Sequence, residues 1–181
     1  LVLKDSVQKE HFMKTLLIIP AYNEGKNIEA VVDNITDNYP QYDYIIINDC
    51  STDDTADICH KRGYNFIDLP FNLGIGGGVQ TGYQYALRNG YDCAVQLDGD
   101  GQHDPIYIAD IIKPIEDGSA DVAIGSRFIS YEGFQSSGAR RAGIKLLSIL
   151  IKLFSGSKVK DVTSGFRAVN RRFIKIYAND Y

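Results

Sequence analysis

An α/β fold with an open, mostly parallel, Rossmann-like sheet and helices on both faces is what this sequence predicts. Two observations lead there. Short, nearly continuous apolar runs alternate with segments of helical periodicity, and the runs lack the in-out alternation of strands with one wet face. Polar or glycine-rich text then follows four successive runs, at the strand ends where ligands bind in sheets of this kind.

The elements follow in order. Leu16–Ile19 reads as a buried strand ended by Pro20, and Asn27–Asn38 as a helix with Ile28, Val31, Val32 and Ile35 on one face. Tyr44–Asn48 is a second strand, Thr52–Arg62 a helix stopped by Gly63, and Asn65–Leu69 a third strand. Gly78–Arg88 is a helix closed by Gly90; Cys93–Asp98, Ile106–Glu116 and Asp121–Ser126 read as strand, helix and strand. The polar text is PAYNE after strand one, DCSTDD after two, FNLGIGGG after three and DGDGQHD after four.

The 181 residues suit one domain with a sizeable core. With 44% hydrophobic and 23% charged residues the chain is neither disordered nor fibrous. No run of 18 uncharged apolar residues is present to span a membrane. Three cysteines with no CxxC pair speak against a disulfide framework or a zinc ribbon. Residues 1–12 lack periodicity and precede Met13, so they read as a leader or added extension. Residues 1–126 hold 8 Lys and Arg against 20 Asp and Glu, while 127–181 hold 11 against 3. The acidic front argues against nucleic acid as a partner; the basic back suits an anionic ligand or a membrane surface.

Several motifs carry chemistry. Gly74–Gly78 fits neither GxGxxG nor a P-loop, which would need Lys-Ser/Thr where Gln80-Thr81 stands. It is either a loop that lets backbone approach an anionic ligand or a tight turn with close helix packing. Asp98 and Asp100, two apart at a strand end, can share a hard divalent cation, or can belong to a structural turn. An EF-hand beginning at Asp98 is excluded, because His103 and Ala109 occupy its glycine and glutamate positions. Glu24 and Asp49 are either helix N-terminal acids or acceptors for nucleobase N–H groups and ribose hydroxyls. In the stretch 144–154 eight of eleven residues are apolar, with Lys145, Ser148 and Lys152 in one stripe. That pattern describes a core helix under a basic rim or a helix lying on anionic lipid. Asp161, between basic residues, is a base, an acceptor-orienting group or a salt-bridged cap.

Six of these pieces occur in one order: IIPAYNE (18–24), INDCSTDDT (47–55), NLGIGGG (72–78), QLDGDGQHDP (96–105), GSRF (125–128) and DVTSGFRA (161–168). Together they resemble the family 2 glycosyltransferases of the GT-A fold, and more narrowly the polyprenyl-phosphate sugar transferases. The resemblance makes 13–181 a catalytic domain, shorter at its C-terminus than most relatives. It implies a metal-dependent, inverting transfer of a hexose from a nucleoside-diphosphate sugar, UDP before GDP, to a polyprenyl phosphate. A soluble saccharide or glycoprotein acceptor, or an inert nucleotide-sugar binding module, is the alternative.

By the same resemblance Pro20, Ala21, Tyr22, Glu24, Asp49, Gly76 and Asp98 bind the nucleotide. Asp98, Asp100 and Gln102 hold Mg²⁺ or Mn²⁺. Arg127, Arg141, Ser164 and Arg167 meet the acceptor, with Asp161, Arg127 and Arg141 as catalytic residues. It also implies residence at the cytoplasmic face of a membrane. The apolar stretch 144–154 with its basic stripe is the expected contact with that membrane, and a homo-oligomer is a further expectation. Three positions depart from the family text: Asn48 replaces the first acid of DDxS, Cys50 a Gly or Asn, and Ile75 a basic residue.

Overall fold

The computed structural model describes residues 13–101, 103–125 and 165–180. Its centre is a six-stranded sheet in the order β3-β2-β1-β4-β6-β5. The strands are β1 (Thr15–Ala21), β2 (Asp43–Asn48), β3 (Phe66–Asp68), β4 (Cys93–Gln96), β5 (Val122–Ile124) and β6 (Arg167–Asn170). β1 pairs in parallel with β2 on one side and β4 on the other, and β2 continues in parallel to β3. β6 lies antiparallel between β4 and β5.

Every residue of β1 is buried, and alternate side chains feed two cores. Leu17, Ile19 and Ala21 face α1 (Ile28–Asn38), α2 (Thr55–Arg62) and α4 (Ile108–Glu116), meeting Val32, Cys59 and Ile112. Leu16 and Ile18 face α3 (Gly74–Arg88) and α5 (Arg171–Asp180), meeting Val79, Tyr83 and Ile174. A 3₁₀ turn, Pro105–Tyr107, precedes α4, and the Asp104 side chain caps it through Ile106 N–H. Gly63 ends α2 in the left-handed conformation at φ 68°, the stop expected from the sequence.

The structure departs from the sequence expectation in several places. β4 ends at Gln96 and β5 at Ile124, each two residues early. β1 runs through Pro20 to Ala21, because β1–β4 pairing ends at Ile18–Gln96 and a Pro nitrogen beyond it forfeits no ladder bond. α2 begins at Thr55, after a turn built by Asp53. The glycine run is the first turn of α3 and not a loop ahead of it. β6 and α5 were absent from the expected elements.

Close approach explains one of the glycines of this helix. A Cβ on Gly82 would lie 2.3 Å from Cγ2 of Ile18, whereas one on Gly78 would meet Pro20 and Ile47 at an ordinary 3.9 Å. α3 therefore sits directly on the carboxyl half of β1. Gly82→Ala should gain about 1 kcal/mol of helix propensity and lose about 1–3 kcal/mol to overpacking. Net destabilisation in urea denaturation is the expected result.

Candidate functional site

The right place for a site is set by the sheet. β2 and β3 extend from one side of β1 and β4 from the other, so the loops leaving β1 and β4 diverge and open a crevice. A cavity of about 460 Å³ lies there, lined by Pro20, Ala21, Tyr22, Glu24, Asp49, Asn72, Gly74, Ile75, Gly78, Asp98, Gly99 and Asp100. All four strand-end motifs contribute to it.

Asp49 is only 4% exposed and is held from three sides. Its backbone N–H donates to Ala21 O at 2.9 Å, its Oδ1 accepts from Leu73 N–H at 2.7 Å, and its backbone carbonyl accepts from Asn72 Nδ2 at 3.1 Å. Asn72 Oδ1 in turn accepts from Gly74 N–H at 3.0 Å. The carboxylate is thus oriented by the start of α3. Among the described residues nothing donates to its second oxygen, which leaves an acceptor for a ligand N–H.

The loops after β1 and β2 are stitched together. Asn23 N–H donates to Ser51 Oγ at 2.9 Å, Asn23 Oδ1 accepts from Thr52 N–H at 2.8 Å, and Glu24 N–H donates to Thr55 Oγ1 at 2.9 Å. Asp53 accepts from Gly25 N–H at 3.0 Å and from both the N–H and hydroxyl of Thr55, forming the turn that opens α2. Burial opposes the charge on Asp53, but these donated bonds outweigh it and hold the carboxyl below the usual range. Glu24 combines both roles open to it: Oε2 accepts from Asn27 Nδ2 at 2.8 Å beside the start of α1, and the residue lines the cavity.

At the β4 end the chain passes close beneath β1, since a Cβ on Gly99 would lie 3.0 Å from Pro20 O. The Asp98 carboxylate packs against the backbone of Gly165, where a Cβ would come within 2.5 Å of Oδ1. His103 Nδ1 stands 3.4 Å from Asp98 Oδ2, and its ring stacks on Phe166 at 5.3 Å. Glycine at 165 therefore leaves room for Asp98, and the His103–Phe166 stack joins its loop to the start of β6.

Seven of the expected site residues come together: Pro20, Ala21, Tyr22, Glu24, Asp49, Asp98 and Asp100. Gly76 does not line the cavity; its helical neighbours Gly74, Ile75 and Gly78 do. Arg167 sits on β6 opposite Gln96 and is not among the lining residues. Gln102, Arg127, Arg141, Asp161, Ser164 and the stretch 144–154 lie outside the described residues. Asn72, Gly74, Ile75, Gly78 and Gly99 also belong to the lining; none is an expected site residue, although all five lie inside the strand-end motifs.

A divalent cation fits this donor set. Asp98 and Asp100 offer hard carboxylate oxygens at one wall of the cavity, and a bound diphosphate would supply more. Among the described residues no group of three or more His, Cys, Asp or Glu side chains is preassembled around an ion.

Residues 16–177 match the glycosyl transferase family 2 domain. The chain belongs to that family. It is 35% identical over 178 residues to the UDP-N-acetylglucosamine–dolichyl-phosphate N-acetylglucosaminyltransferase of Methanococcus voltae, covering 88% of this chain and 70% of that protein. It is 28% identical over 169 residues to the polyprenol monophosphomannose synthase of Mycolicibacterium smegmatis, covering 90% of this chain and 63% of that protein. The chain thus spans about two thirds of the length of these family members. Its fold is shared with the glucosyl-3-phosphoglycerate synthase of Mycobacterium tuberculosis, solved with Mn²⁺ and UDP-glucose, at TM-score 0.67 and 22% identity over 88% of this chain and 57% of that one.

Replacing Asp53 by Ala removes the bonds that open α2 and should cost about 1 kcal/mol near neutral pH. Because the folded-state pKa lies below the unfolded one, the wild-type advantage is full above the unfolded value, about 4. It fades as pH falls through the lowered folded value. Urea denaturation of both proteins between pH 7 and pH 3 measures the convergence.

Proposed function

We propose that this family 2 domain transfers a hexose from a nucleoside-diphosphate sugar to a polyprenyl phosphate, with inversion at the sugar carbon. The observation that carries the reading is the placement of a buried acceptor, Asp49, and a carboxylate pair, Asp98 and Asp100, in the lining of one cavity at the switch point. That is the layout a nucleoside diphosphate needs: an acceptor for the base and a cation site for the phosphates. The names of the two relatives above supply the acceptor class.

Asp49 accepts an N–H of the base, which uracil and guanine both offer; UDP is favoured and GDP is the alternative. Pro20, Ala21, Tyr22 and Glu24 line the same cavity, as does backbone of the first turn of α3 at Gly74 and Gly78. Asp98 and Asp100, with Gln102, would hold Mg²⁺ or Mn²⁺. Such an ion, when bound, offsets the negative charge that develops on the departing diphosphate. An ionised oxygen of the acceptor phosphate forms the new bond to the sugar carbon as the bond to the nucleoside diphosphate breaks. Because the nucleophile is already ionised, Asp161 has an orienting role at least as readily as a proton-accepting one. Arg127, Arg141, Ser164 and Arg167 are assigned to the acceptor phosphate.

Among the described residues no helix is long and apolar enough to cross a membrane. The acceptor would be met at the cytoplasmic membrane face through 144–154, with self-association as a further part of the proposal.

Transfer to a short-chain polyprenyl phosphate, measured with the full-length protein, tests the reading. Asp100→Ala should lose at least about 100-fold in transfer rate, as for removal of a charge-stabilising group, with an unchanged melting temperature. Asp49→Asn should raise the donor KM about tenfold, the scale of one hydrogen bond to a charged group. Full transfer activity in the Asp100 variant would overturn the assignment.

A further inference from the structure

Asn48, at the end of β2, is 1% exposed, and both ends of its amide are engaged. Nδ2 donates to Asp68 Oδ1 at 2.6 Å, and Oδ1 accepts from Ser51 Oγ–H at 2.5 Å. Ser51 Oγ also accepts from Asn23 N–H at 2.9 Å. A chain of hydrogen bonds therefore runs from β3 through the end of β2 to the loop after β1. Asn48 is not itself part of the cavity lining.

The chain spans a strained piece of backbone. Among the described residues only two non-glycine residues have positive φ, Asn23 and Cys50, both at 57°. Cys50 follows Asp49 directly, and Asn23 lies in the loop that faces it. A left-handed conformation costs about 1–2 kcal/mol for a residue with a side chain, and it persists only where the surroundings over-determine it. The Asn48–Ser51 bond closes the turn that contains Cys50, and the Ser51–Asn23 bond ties that turn to the opposite loop.

We infer that Asn48 is a positioning residue for donor binding, and that it must be an amide because it has to donate to Asp68 while accepting from Ser51. An ionised carboxylate has no proton to donate and would face Asp68 as a like charge. The neighbouring titratable groups are Asp49 and Cys50 on the same turn, Asp53 beyond Ser51, Glu24 on the facing loop, and Cys59 beneath on α2. The Cys59 thiol is pushed up to about 11 by burial and, secondarily, by the charge of Asp68. Among the described residues no Lys or Arg pairs with Asp68 to absorb a second negative charge. The inference rests on reading the cavity as the donor site, but the clamp itself can be measured without a ligand.

The test compares wild type, Asn48→Asp and the double variant Asn48→Asp/Asp68→Asn, each at pH 5.5 and pH 8. Amide hydrogen exchange in 22–25 and 50–55 reads the loops without nucleotide, and titration of UDP and GDP with Mn²⁺ reads the cavity. At pH 8 the single variant should exchange at least about tenfold faster than wild type in both loops and bind nucleotide about tenfold more weakly, as for two carboxylates forced to share a site. At pH 5.5 the deficit should shrink, because a shared proton restores a donor. The double variant reverses donor and acceptor and should regain wild-type exchange and affinity at pH 8. A role in packing alone would give neither the pH dependence nor the rescue.

Wild-type exchange in the single variant at pH 8 would overturn the inference. So would failure of the double variant to fold or to regain protection. If wild type binds neither nucleotide while exchange follows the expected pattern, the clamp stands and the donor-site reading falls.

Discussion

The pairing of β1 in parallel on both edges is the constraint from which the rest of the structure follows. A parallel neighbour on each side requires crossovers, and the right-handed rule sends them to opposite faces when the sheet grows in opposite directions. α1 and α2 accordingly cover one face and α3 the other, and the loops leaving β1 and β4 part at their carboxyl ends. The crevice is a product of strand order. Its chemistry is a matter of what the sequence places on the four loops that border it.

Those loops are short on apolar contact and are held by polar bonds instead. Asp49 is fixed by the backbone of Leu73 and the side chain of Asn72, and the loop after β1 by Ser51, Thr52, Asp53 and Thr55. Each bond contributes about 0.5–1.5 kcal/mol net, so no single one dominates. Their value lies in fixing the Asp49 acceptor and the loop that faces it before any ligand arrives, which lowers the ordering cost of binding. Glycine at 82, 99 and 165 lets α3 and the Asp98 loop come close to neighbouring atoms.

The parallel core was legible because its strands are almost pure Ile, Leu and Val and its helices carry clear periodicity. β6 was not, since RAVN is four residues long, has polar ends and lies inside text that reads as chemistry. It reaches the sheet only by inserting antiparallel between β4 and β5, a long-range pairing that no local pattern announces. The start of α3 was placed four residues late because glycine disfavours helix; contact with Ile18, Ile47 and Pro20 favours it here. With the helix starting at Gly74, the i and i+4 positions 74 and 78 share a face, and Gly76 turns away from the cavity. The acids were legible by type and by strand-end position. Asn48 was legible only as a departure from family text, because its two partners lie 20 residues ahead on β3 and three residues on in the turn.

The central claim is that base and phosphate recognition share one cavity and that the cation binds with the diphosphate. Titration of the protein with Mn²⁺ alone, with UDP or GDP alone, and with each nucleotide plus Mn²⁺ measures this directly through thermal stabilisation. Strong stabilisation by one diphosphate only when Mn²⁺ is present is the predicted result, with little effect of either partner alone. Tight Mn²⁺ binding without nucleotide, or nucleotide binding indifferent to Mn²⁺, would contradict the account.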